Sequence, residues 1–161
     1  MRENKVEFVT YSKRQSNIIK NGINAIREVL RGTNISEKKS LLLCLDKYID
    51  PYYGYNLPYH DDICVLLQEQ LFLNNDEDVK NDILDLLNYS QKSLDYLADK
   101  IELLKLEPKL LSKALYALWH TCDNKYLPIF LKYENNQNDI ISCAAKDILS
   151  DILEIDENYN P

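Results

Sequence analysis

The chain has 161 residues, 45% of them hydrophobic, with only three glycines and five prolines, and carries a formal net charge of −7. That length suffices for one domain, 1–161, that buries a core without disulfides or metals, and the scarcity of glycine and proline excludes the turn-dense pattern of a β-sandwich. Charge is unevenly divided: residues 1 to 40 hold nine Lys or Arg against four acids, and residues 41 to 161 ten against twenty-two, which excludes the basic surface that nucleic-acid binding requires.

Met1 to Lys5 is polar, and no later stretch approaches the roughly 18 consecutive apolar residues of a membrane span, so the expectation is a cytoplasmic protein with no membrane partner. Residues 12 to 31 read as a first helix capped by Ser12, with Ile19, Ile23, Ile26 and Leu30 on its apolar stripe and Gly32 at its end. Ser36 is the expected cap of a second helix to Ile49, which Asp50 and Pro51 stop. A tyrosine-rich loop follows, then a third helix from Pro58 or Tyr59 with Ile63, Leu66, Leu67, Gln70 and Leu71 on its stripe.

Asp76 or Asp78 starts a helix through Leu87, and a mate is expected from Gln91 to Leu106. Pro108 opens the next helix, which reaches His120, and Pro128 sits in the first turn of another. A last helix spans Asp139 to Leu153, with a tail from Ile155 to Pro161 polar enough to fray.

Four of these helices share one pattern. Apolar positions recur at offsets 0, +3, +4 and +7 in Leu41, Cys44, Leu45, Tyr48; in Val79, Asp82, Ile83, Leu86; in Leu111, Ala114, Leu115, Leu118; and in Ile141, Ala144, Ala145, Ile148. The copies begin 38, 32 and 30 residues apart, so one helical unit is reused along the chain. The expected fold is all-α: antiparallel helix pairs stacked in sequence order, about seven to eight helices in all.

Two clusters stand out as candidate partner-binding sites. The loop from Asp50 to Asp62 holds Tyr52, Tyr53, Tyr55 and Tyr59 and ends on Asp61 and Asp62. Tyrosine combines large contact area with a polar tip, so these rings either anchor a partner or cover the ends of neighbouring helices. Asp76, Glu77, Asp78, Asp82 and Asp85 form an acidic run in which Asp78, Asp82 and Asp85 share a helix face, although Asp82 also occupies a core slot of the repeat. The run lacks the spacing and central glycine of a calcium loop, so a solvated acidic face is expected and no metal or other cofactor.

Catalytic signals are missing. His60 and His120 are the only histidines, and no nucleophile triad, zinc helix or phosphate loop can be built around them. Cys44, Cys64 and Cys143 lie among apolar residues at helical spacing and read as buried, reduced thiols, whereas Cys122 falls in a turn beside Asp123. The chain is therefore expected not to be an enzyme.

The stretch Pro108 to Leu118, the turn at Asp123, Leu127 and Pro128, and Asp139 to Leu149 with its paired Ala144 and Ala145 resemble HEAT-like repeats. That resemblance implies an α-solenoid presenting surface to another macromolecule. The single-domain build and Asn-, Ile- and Lys-rich composition resemble bacterial immunity proteins that neutralise contact-delivered toxins. This second resemblance implies a protein-binding inhibitor whose partner is a basic protein, a cognate nuclease toxin, occluded by Tyr52, Tyr53, Tyr55, Tyr59, Asp61, Asp62, Asp76, Glu77, Asp78 and Asp85. The alternatives are a scaffold or regulatory adaptor holding a host protein, and a helical enzyme using unrecognised carboxylates.

Overall fold

The computed structural model describes residues 8–158; residues 1–7, Met1 to Lys5 among them, and the end of the tail, 159–161, lie outside them. Among the described residues the protein consists of α1 (Lys13–Lys20), α2 (Ile23–Arg31), α3 (Ile35–Ile49), α4 (His60–Leu73), α5 (Glu77–Leu87), α6 (Asp95–Lys100), α7 (Pro108–His120), α8 (Leu127–Tyr133) and α9 (Asp139–Asn158), with short 3-10 turns and no strand. None of these helices is long and apolar enough to cross a membrane.

Among the described residues nine helices form where seven to eight are expected, because residues 12–31 make two. Ser12 caps α1 in a reciprocal box with Gln15, but Gly22 adopts φ 99°, ψ −179°, a conformation open essentially only to glycine, and the helix restarts at Ile23. The expected helix from Gln91 to Leu106 is also replaced. The Ser90 hydroxyl donates to the Lys92 carbonyl at 2.9 Å, holding 90–94 as a loop, so helix begins only at Asp95 and passes into a 3-10 turn over Ile101–Leu104. Asn34, not Ser36, caps α3 by accepting from the Glu37 N–H at 3.0 Å, and α9 runs past Leu153 to Asn158.

The helices stack in two layers in sequence order. α1, α3, α5, α7 and α9 each pack against the next in one layer, while α2, α4 and α6 follow one another in the other. The hairpins close across the short connections: α2 packs on α3, α4 on α5 and α8 on α9. The pairs are thus one helix out of phase with the expected ones, because the longer connections, the tyrosine loop among them, fall within the expected pairs.

The repeat stripes form the seam between layers. Of their sixteen positions all but Tyr48 and Asp82 are buried. Alanines at Ala114, Ala117, Ala144 and Ala145 line the α7–α9 region with little side-chain bulk, which lets helices approach closely. Polar ties between successive copies keep the repeat spacing. Lys38–Asn74 and Lys39–Asp78 join α3 to the start of the next copy across 36 and 39 residues; Asp85–Lys113 and Asn88–His120 join the next two across 28 and 32; Tyr116–Asp147 joins the last across 31. Each copy is bonded to its sequence neighbour, as a quasi-linear stack requires.

Candidate functional site

The shared face of Asp78, Asp82 and Asp85 turns toward α3. There it forms one wall of a groove of about 450 Å³ whose other lining includes Lys39, Leu42, Leu43, Asp46 and Leu86. Asp78 and Asp85 are exposed and each is tied to one cation, Lys39 Nζ at 3.0 Å and Lys113 Nζ at 2.6 Å. Asp46 and Asp82 are half-buried and make no ion pair among the described residues.

Burial raises the Asp82 carboxyl above its ordinary range, and the charges of Asp85 and Asp78 push the same way against a hydrogen bond from Asn81 and the charge of Lys39. Burial likewise raises Asp46, with Asp50 adding to it. The groove therefore holds more negative charge than its own lysine offsets, and two of its carboxylates are poorly solvated.

Tyr89 connects this groove to the tyrosine loop. Its phenol is raised by burial and then by the negative charges of Asp46, Asp50 and, when ionised, Tyr53. The loop starts as a 3-10 turn over Pro51–Tyr53, where the Asp50 carboxylate accepts from the Tyr52 N–H at 2.9 Å. Tyr52 is 88% exposed and stands edge-on to Tyr53 with ring centroids 5.6 Å apart, a pair in solvent that no helix end requires.

The other two rings pack. Tyr55 lies 5.3 Å from the Tyr48 ring and remains half-open to solvent, whereas the Tyr59 hydroxyl donates to the Ile19 carbonyl and its ring fills the space beside α1. The loop is thus divided: Tyr55 and Tyr59 pack against neighbouring groups, whereas Tyr52 and Tyr53 stand open to solvent.

The remaining candidates do not join this surface. Asp61 pairs with Lys92 at 2.5 Å, which holds its carboxyl below the usual range and pins the 90–94 loop to the start of α4. Asp62 is exposed beside it. Asp76 is spent as the cap of α5, accepting from the Val79 N–H at 3.0 Å, and Glu77 is exposed in the first turn. Sequence reasoning missed Asp46 and Tyr89. The i, i+4 spacing of Asp46 and Asp50 at the end of α3 is a signal for Asp46, and none marks Tyr89.

Cysteine and histidine geometry offers no nucleophile pair. Cys44 and Cys64 are buried as expected, but Cys143 is exposed: it follows buried Ile141 and Ser142 on α9 and falls on the solvent side of the stripe. Cys122 is exposed at φ 55°, and the His120 ring points instead to Asn88, with Nδ1 3.0 Å from its side-chain oxygen. Among the described residues no three His, Cys, Asp or Glu side chains are grouped to hold a metal ion. No family model, curated protein or solved structure matches the chain.

Proposed function

We propose that this protein is an inhibitor that docks a basic protein through the α3–α5 groove and the adjoining loop tyrosines. The observation that carries the reading is the groove's composition: Asp46, Asp78, Asp82 and Asp85 lie on one concave surface with the apolar side chains of Leu42, Leu43 and Leu86. A cationic side chain entering it gains charge pairing with carboxylates that have already lost much of their water, so part of the desolvation cost is met before binding. Tyr52 and Tyr53 supply exposed aromatic anchors at one end.

The narrower form of the proposal is a bacterial immunity protein whose partner is a nuclease toxin. A nuclease must present cations to bind phosphate, and a carboxylate-lined surface competes for those cations and excludes substrate by occupancy, without chemistry on this chain. The test is direct. The product of the adjacent gene is purified and its nuclease activity and affinity for this protein are measured. Stoichiometric inhibition, lost in Asp46→Asn/Asp82→Asn, supports the reading; a basic partner bound equally well by that variant overturns the groove as its site. A bound partner without inhibited activity favours the adaptor reading.

A further inference from the structure

A second cavity, of about 360 Å³, opens where the ends of α2 and α4 meet the starts of α3 and α5. Its lining includes Lys38, Gln70 and Asn74, all more than nine-tenths buried, together with the apolar Leu30, Ile35 and Leu73. Gln70 is fully buried, and its amide Nε2 has no hydrogen-bond partner among the described residues. Its Oε1 faces the Asn74 amide at 3.4 Å, and that amide donates also to the Gln70 carbonyl at 2.8 Å, which fixes the Gln70 amide with its nitrogen as the spare group.

Lys38 presents the same excess of donors. Its ammonium donates to Asn74 Oδ1 at 2.5 Å and makes no ion pair among the described residues, so a buried cation with three N–H groups has one neutral acceptor. A buried ammonium without an ion pair and a buried amide without an acceptor are each costly, and both residues line one cavity. The two deficits are answered by one group that brings acceptor oxygens and a negative charge.

We propose that this cavity binds a small monocarboxylate, its oxygens on Lys38 Nζ and Gln70 Nε2 and its short apolar body against Leu30, Ile35 and Leu73. Charge selects the class. The exposed Arg31 and the half-buried Asp76 of the same lining offset each other, so the buried Lys38 leaves one positive charge, which a monocarboxylate balances and a phosphate dianion exceeds. The volume lies within the range of small-molecule pockets. This site is separate from the α3–α5 groove and does not rest on the proposed partner.

Butyrate is the probe, titrated into the wild-type protein while amide signals are followed by NMR. Saturable shifts of the Gln70 side-chain NH2 and of residues around Lys38 are expected, with butyramide and inorganic phosphate binding about tenfold more weakly or worse. Gln70→Leu and Lys38→Met, which keep the buried bulk, should each weaken butyrate about tenfold or more. Absence of saturable shifts in the folded wild type overturns the site irrespective of how the variants fold. Phosphate binding as tightly as butyrate overturns the ligand class, and unchanged affinity in both variants overturns the residues.

Discussion

At the scale of single residues, the same side-chain type does opposite work according to its surroundings. Asp61 is stabilised as an anion by Lys92, whereas Asp82 is held half-buried among other carboxylates and its pKa rises. For Asp82 the folded chain holds the proton more tightly than the unfolded chain, so ionisation costs stability as pH rises through the folded pKa, and the cost is absent below the unfolded value of about 4. Asp82→Asn should therefore raise the thermal midpoint at pH 7, with the gain shrinking as pH is lowered toward 4; a gain that grows on acidification would contradict the burial argument. Tyr59→Phe should cost about 1 kcal/mol in denaturant unfolding, because it removes the hydroxyl from the Ile19 carbonyl, and should leave partner affinity unchanged. Tyr53→Ala should do the reverse, preserving stability and weakening partner binding by roughly 1 to 3 kcal/mol, mainly through faster dissociation.

Elements were legible wherever burial dictates their pattern. The four stripes follow from spacing alone, and fourteen of their positions are buried, since a helix face that packs on neighbours on both sides must repeat its apolar residues at 3 and 4. Leu115, fully buried in the middle of α7, is the clearest case, and Leu115→Ala should destabilise by about 2 to 5 kcal/mol through the cavity it opens. The break at Gly22 is concealed in the sequence because Ile19, Ile23, Ile26 and Leu30 continue a helical stripe across it; Asn21-Gly22 is a turn signal there. Gly22→Ala tests that break: it should cost about 1 to 3 kcal/mol, since alanine is strained at φ 99° although nothing within 4 Å obstructs its Cβ. The acidic run was legible as a helix face, but its meeting with Asp46 was not, because 32 and more residues of chain separate Asp46 from Asp78 and its neighbours and only the stacking of α3 on α5 brings them together.

For the whole molecule, the decisive property is that the charge asymmetry is sorted by position in the stack. The cations of residues 13–39 belong to the first helices, and two of them are tied to acids of the next helix in their own layer, Arg14 to Glu37 and Lys39 to Asp78. The body beyond them carries a surplus of twelve negative charges over residues 41 to 161, a field that would draw the proposed basic partner toward the stack before any contact forms. Attraction of that range is screened over about 8 Å at physiological ionic strength, while a partner's cation paired with a half-buried carboxylate of the groove would be shielded from salt. Association should accordingly slow as salt rises from about 0.05 to 0.5 M, with dissociation changing far less. Neutralising the exposed Asp61 and Asp62, or Glu77 and Asp78, should lower the association rate and flatten its salt dependence, whereas Asp46→Asn with Asp82→Asn should act chiefly on dissociation. Stopped-flow measurements with the basic partner separate the two contributions. If the exposed and groove variants change the same rate constant in the same proportion, charge on this molecule acts only as a long-range field, and the groove is not where the partner's cations reside.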